Sequence, residues 1–289
     1  MPVSPSSSAQ AAREVVAHRL RDLRKTAGLT VVELADRCGW HHAKTSRIEN
    51  ARTAPTVLDM RAWCRACGVP DQAEGLIAQS LHAESLYTEW RTQVRAGLKA
   101  LQESEPKLFR DTAHFRVYSS SLVPGLLQTE GYAAGVLGIS ARFRDVPMDD
   151  SAAAARARVE RSRIVHEPGR RFVFVVEESV LHYRICEAEA MAAQLGYLLT
   201  AGALPQVSLG IIPTDTASRQ QWPRETFHVY DDHLVSVELV SARVRITQPS
   251  EIELHLAAFE QLRSMAVYGA DARTLIRRAI EALDHPEAG

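Results

Sequence analysis

Arg47, Lys44 and His42 fall within one short helix-forming run, and their chemistry suits a surface that meets a polyanion. The Arg47 guanidinium carries paired donors that match guanine O6 and N7, a contact worth ~1–3 kcal/mol of base discrimination. Lys44 is a flexible point charge suited to a phosphate. His42 has a ring nitrogen to offer a purine N7 or a phosphate, and Ala43 a methyl to place against thymine. Ser46 shares the outward face. Thr30 and His41, at the starts of two successive helices, and Arg52 and Thr53, just past the second, are candidates for backbone phosphates. Together these nine residues form the candidate nucleic-acid-binding set. The alternative for His42 or Ala43 taken alone is a solvated helix surface.

These side chains need a short rigid mount, and the flanking sequence supplies one. Val16, Leu20 and Leu23 recur at helical spacing over a first helix expected from Ala12 to Thr26, and Gly28 follows as its left-handed cap. Thr30 with Glu33 three residues on has the form of a capping box for a second helix carrying Leu34 and Ala35. Gly39 breaks the pattern. A third helix, from His41 or His42 to Asn50, turns Trp40, Thr45 and Ile48 inward and leaves 42, 43, 44 and 47 outside. Two short helices joined by a glycine turn are the sequence form of a helix-turn-helix. Two more helices, after Pro55 and after Val69-Pro70-Asp71, close a five-helix core.

The stretch Leu29–Asn50, with its turn glycine and its Ser46-Arg47-Ile48-Glu49-Asn50 tail, resembles the helix-turn-helix of the phage-repressor, XRE/Cro-like family. The resemblance implies an ion pair between Arg24 and Glu49. It also exposes two departures. Val31 stands where a phosphate-contacting Gln is common, and His41 where Ser or Thr usually caps the helix, which puts that cap in doubt.

The 289 residues suit about two domains of ordinary size, and 46% hydrophobic with 24% charged residues is a globular composition. Charge is uneven: residues 1–68 hold 11 Lys+Arg against 6 Asp+Glu, while the remainder holds 23 against 29. A basic head on an acidic body suits nucleic-acid binding by the head alone. Cys64 and Cys67 have CxxC spacing but no second ligand pair nearby, so a small-residue helix face is favoured over zinc. No metal, cofactor or catalytic residue is expected. The N-terminus has no basic flank or apolar core, and no apolar run approaches the ~18 residues of a membrane span; the expectation is a cytoplasmic protein with no membrane partner. The expected division is a disordered lead-in over 1–11, a helix-turn-helix domain over 12–80, a connector helix over 81–104, and a regulatory and dimerisation domain over 105–289.

In the body, Phe172-Val-Phe-Val-Val176 reads as a buried strand, Val207, Leu209 and Ile211 as a half-buried one, and Thr226–Tyr230, Leu234–Leu239 and Arg243–Thr247 as a meander. Helices are expected over 150–164, around Met191–Leu199, and over 250–265 and 270–284, with Ser250 and Glu253 as a capping box. The fold class is an all-α head plus an α+β body with a small, mostly antiparallel sheet. The segment Leu122-Val-Pro-Gly-Leu-Leu-Gln-Thr-Glu-Gly-Tyr-Ala133, after a Trp90 and Gly97-Leu-Lys-Ala-Leu-Gln102 helix, resembles the C-terminal domain of WhiJ-like, antitoxin-like actinobacterial regulators. That resemblance implies a small partner protein encoded nearby and carries no catalytic residues. Tyr118, Gln128, Tyr132, Glu177, Trp222, His228 and Tyr230 combine aromatic walls with polar anchors, as an effector or partner pocket would; ordinary core and rim is the plainer reading. The functional expectation is a homodimeric, sequence-specific regulator of transcription, a repressor, reading an inverted-repeat operator in double-stranded DNA. A small-molecule-sensing regulator is the alternative. An enzyme with an accessory DNA-binding domain comes last, since no GxSxG, Walker A, GxGxxG or HExxH motif occurs.

Overall fold

A computed structural model describes residues 8–77, 87–94, 97–146 and 150–284. The chain divides into two compact units between Thr88 and Glu89.

The first unit is helical. Helix α1 (Ser8–Thr26) starts earlier than Ala12, so residues 8–11 of the expected lead-in are helical. Residues 1–7 lie outside the described part. α2 (Val31–Cys38) opens on the Thr30–Glu33 capping box, in which each partner's backbone N–H donates to the other's side chain. It ends at Gly39, whose φ of 74° only glycine adopts at no steric cost. α3 (His42–Glu49) follows at once, and α4 (Val57–Ala66) opens on a second capping box, Thr56 with Asp59. A 3-10 turn, Pro70–Gln72, leads into helical residues 73–77. Val16, Leu20, Leu23, Leu34, Ile48, Met60, Trp63 and Leu76 share one core, and Trp63 Nε1 donates to the Leu20 carbonyl at 3.0 Å. Cys64 is buried in that core with its thiol pushed up by burial, the helix-face role expected for it.

The described part of 81–104 is not one continuous helix. It contains strand β1 (Tyr87–Glu89), a helical turn at Trp90–Gln93 and helix α5 (Leu98–Glu103); residues 78–86 are outside the description. Gly97, at φ 92°, separates the last two.

The second unit is built on strands paired in the order β7-β6-β5-β2-β3-β4. Its strands are β2 (His114–Ser119), β3 (Arg171–Glu177), β4 (Val207–Ile212), β5 (Phe227–Tyr230), β6 (Leu234–Glu238) and β7 (Ala242–Ile246). The expected α+β class holds, but the sheet is larger than expected and mixed: β3 pairs in parallel with both β2 and β4, while the three pairings along β2-β5-β6-β7 are antiparallel. The uninterrupted Phe172–Val176 run has a physical reason. A central parallel strand is covered on both faces and needs no polar alternation. The parallel steps are bridged by α7 (Glu130–Arg144) and α8 (Ser151–Ser162), and then by α9 (Ala188–Ala201). Helix α6 (Pro106–Asp111) leads into β2, and α10 (Pro249–Ser264) and α11 (Gly269–Asp284) complete the chain. One sheet face, with Phe115, Val117, Phe172 and Phe174, packs on α9 and α11; the other, with Tyr118, Val175, Val229 and Val235, packs on α10. Ser250 does not cap α10. The helix opens with Pro249 at its first position, after Gln248.

Replacing Gly39 by Ala forces a Cβ into the left-handed region between α2 and α3. The first unit should lose about 1 kcal/mol, read as a lower midpoint in urea; an unchanged midpoint would show that the turn tolerates another geometry.

Candidate nucleic-acid interface

The orientation of α3 is set from below by a buried ion pair. Glu49 Oε1 accepts from Arg24 Nε at 2.5 Å and Oε2 accepts from Nη2 at 2.9 Å, while Arg24 Nη1 donates to the Leu29 carbonyl at 2.7 Å. Both side chains are nearly sealed from water, at 11% and 6% exposure. The hydrogen bonds to Glu49 raise the Arg24 guanidinium above its ordinary range against the opposing effect of burial. Arg21 adds a clamp, its Nη2 donating to the Glu49 carbonyl and to Asn50 Oδ1. The pair implied by the family resemblance is therefore present, and it ties α1 to the end of α3.

With Thr45, Ile48 and Glu49 buried, α3 presents His42, Ser46 and Arg47 to solvent, with Ala43 half-buried between them. Among the described residues the Arg47 side chain has no hydrogen-bond or ion-pair partner, so its guanidinium fork is available. His41 does cap α3: its Nδ1 accepts from the Ala43 N–H at 3.2 Å. The acceptor role requires that this nitrogen be unprotonated, and the His41 and His42 rings lie 4.1 Å apart. Arg52 and Thr53 are exposed beyond the helix end, where both backbone N–H groups donate to the Arg47 carbonyl. Thr30 is exposed at the head of α2, but its hydroxyl already serves the cap.

Lys44 is placed differently from the free point charge expected of it. Its Nζ donates to Asp59 Oδ1 at 2.6 Å and lies 4.5 Å from the Trp40 ring centroid. The ammonium thus bridges α3 to α4. Trp40 Nε1 in turn donates to Thr45 Oγ1. Sequence spacing put Lys44 on the outer face; the carboxylate that draws it sideways is fifteen residues away and invisible to helical periodicity.

The residues proposed for a body pocket do not form one group: they divide between the two faces of the sheet. Strand register puts Tyr118 opposite Phe227 on the α10 face, and His228 opposite Val117 and Tyr230 opposite Phe115 on the other. On the α10 face, Tyr118 donates to Glu177 Oε1 at 2.9 Å and accepts from the Arg224 N–H, while Arg219 donates to the same Glu177 oxygen at 2.5 Å. Trp222 is exposed, with the Arg224 guanidinium 3.9 Å above its ring. Tyr132 is buried, its hydroxyl accepting from the Val123 N–H. Gln128 is buried too, donating to the Val123 carbonyl and accepting from Arg158 Nη1 at 2.7 Å. Gln128 alone of these lines the cleft formed with Thr129, Val159, Ser162, His166 and Tyr197. Sequence reasoning missed Arg158, Arg161, Arg243 and Glu105, which surround His228 and Tyr230. Their signal was weak, since arginines in an Ala/Arg-rich helix read as solvated.

These features define a class. A helix-turn-helix domain model matches residues 15–74, which marks the chain as a DNA-binding regulator. A second model, a domain of unknown function (DUF5753), matches residues 110–278, more than half of the chain, and the protein belongs to that family. No curated protein and no solved structure matches the chain. Among the described residues no helix is long and apolar enough to cross a membrane.

Asp59 yields a pH test of the α3–α4 bridge. Burial pushes its carboxyl up, but the Lys44 ammonium and the Thr56 cap outweigh burial and leave it below the usual range. A depressed carboxyl stabilises the fold above its unfolded pKa of ~3.9 and loses that contribution as pH falls through the folded value. Asp59→Asn should therefore cost about 1 kcal/mol at neutral pH, and the gap to the parent should close below about pH 4. Urea titrations from pH 7 to 3 that show a constant gap would remove the bridge.

Proposed function

We propose that the protein is a sequence-specific transcriptional repressor that binds an inverted-repeat operator as a homodimer, one first unit per half-site. The observation that carries this is Arg47, exposed and without a side-chain partner among the described residues, on a helix whose other side is fastened by a buried ion pair. A base-reading side chain must be free while its mount is rigid, and this helix meets both conditions. Arg47 reads a guanine, with Ala43, His42 and Ser46 beside it on base edges. Thr30, His41, Arg52 and Thr53 position the phosphates. Lys44, committed to Asp59, adds little beyond the local field. Half-site centres lie one duplex turn, about 34 Å, or a multiple apart.

The second unit supplies the dimer contact and receives the signal, and a small partner protein is the favoured source, as the WhiJ-like resemblance implies. An apolar patch on that unit supports a protein contact. Ile139 and Phe143 lie one turn apart on α7 at 44% and 68% exposure, and Val240 is 76% exposed. Arg144 joins them, its guanidinium 5.8 Å from the Phe143 ring centroid and its Nη2 donating to the Val240 carbonyl at 3.4 Å. Signal binding would shift the population between operator-competent and incompetent arrangements.

On the operator selected from genomic DNA, Arg47→Ala should cut discrimination against a single mismatched guanine position by roughly 1–3 kcal/mol, measured by fluorescence anisotropy. Arg52→Ala should weaken all sequences alike and lower the salt slope by about one. If the parent binds no genomic site better than random duplex, the reading fails. For the partner, Phe143→Asp should release the small protein that co-purifies from the native host while leaving operator affinity intact; undiminished co-purification would place that contact elsewhere.

A further inference from the structure

The sheet face away from α10 carries a cluster of cations that the DNA-binding reading does not use. Strand register aligns His228 with Ser236, Ser236 with Arg245, and Glu238 with Arg243 across β5, β6 and β7. Above them, α8 contributes Arg158 and Arg161. Glu105 binds both Arg243, at 3.1 Å, and Arg245. Glu238 reaches Arg243 at 3.6 Å. Four guanidinium groups thus face two carboxylates, and both carboxylates sit on the β7 side.

Among the described residues, Arg158 and Arg161 hydrogen-bond to neutral partners only. Arg158 Nε donates to Gln102 Oε1 at 3.0 Å and its Nη1 to Gln128 Oε1 at 2.7 Å. Arg161 donates to the Gln102 carbonyl and side chain, and its Nε is buried without a partner among the described residues. A guanidinium has five N–H donors, so both retain unused ones. Gln102 and Gln128 are themselves buried and hold the two arginines in place.

The cluster is enclosed but not sealed. Arg158, Arg161 and His228 each keep some water-accessible surface, and the Arg243 side chain is 18% exposed. Yet Arg158, Arg161 and His228 are enclosed deeply enough that burial dominates their proton affinities. Arg158 is pushed down to about 10, first by burial and then by Arg161. His228 is pushed down to about 4 by burial, with Arg243, Arg161 and Arg158 adding to it against Glu238, so it is neutral at pH 7. Tyr230 is pushed up to about 12, chiefly by burial, and keeps its proton. Burying a cation away from a counter-charge is costly.

We propose that this cluster binds the phosphate group of a small phosphorylated metabolite, with Arg158, Arg161 and Arg243 neutralising it and His228, Ser236 and Tyr230 as uncharged donors. A dianion matches the excess of two positive charges. Guanidinium forks suit its oxygens in a way that a lone lysine does not. Phe109, whose ring lies 4.5 Å from the Arg161 guanidinium carbon, and Tyr230 wall the site. The second unit thereby gains a chemical input separate from any protein partner. The inference concerns that unit alone and stands or falls independently of the operator reading.

The test uses the full chain, titrated calorimetrically with inorganic phosphate and with adenosine monophosphate at pH 7 and constant ionic strength. Saturable binding at one site per chain is expected, and Arg158→Gln should weaken it at least tenfold. Arg52→Ala should leave it unchanged, which separates it from phosphate contacts in the first unit. Tighter binding of the monophosphate identifies an esterified ligand; equal binding identifies free phosphate. Should Arg158→Gln fail to fold, Ser236→Asp brings a repelling charge to the same floor and should abolish binding. Heats that never saturate, or that persist unchanged in the folded variants, would overturn the proposal.

Discussion

Glu49 carries a negative charge into the interior of the first unit, and the Arg24 guanidinium answers it. A buried carboxylate stripped of its partner costs about 3–5 kcal/mol, whereas a pair replaced by packed apolar groups often costs nothing. The pair is therefore better understood as a device of geometry than of net stability. Two parallel hydrogen bonds, at 2.5 and 2.9 Å, permit one relative placement of α1 and α3, and the bond from Arg24 to the Leu29 carbonyl extends that placement to the entry of α2. The three helices are thereby fixed by one side chain, and the outer face of α3 inherits its direction from that joint.

The outer face is graded rather than uniform. Among the described residues Arg47 gives its donors to no partner. Lys44, one turn earlier, spends its charge on Asp59 and on the Trp40 ring. His41 gives a ring nitrogen to the helix start. In the proposed reading, recognition and construction divide the same short helix between them, and the residues that hold it in place are not also fully given to DNA.

The second unit meets a different constraint. Its sheet is covered on one face by α10 and on the other by helices that include α9 and α11, and both cores are apolar where β3 and its neighbours are central. Toward β7 the second of these faces turns polar, with Glu105 facing two arginines and Arg158 and Arg161 facing only amides. Polar groups gather where the helical cover changes from α9 and α11 to α5 and α8.

The sequence by itself determined the local features. Capping at Thr30, the break at Gly39, the inward set Thr45 and Ile48, and the strands at 172–176 and 207–211 all depend on neighbours within a few residues, and periodicity and turn chemistry report such neighbours directly. Tertiary structure decided what depends on long loops. The parallel pairing of β3 with β2 and β4 is invisible locally, because a buried run has no alternation to show which strands flank it. His114–Ser119 became the middle of the sheet, opposite faces separated Tyr118 from His228, and Asp59 drew in Lys44. Each of these is a contact across many residues of chain, and only folding brings the partners together.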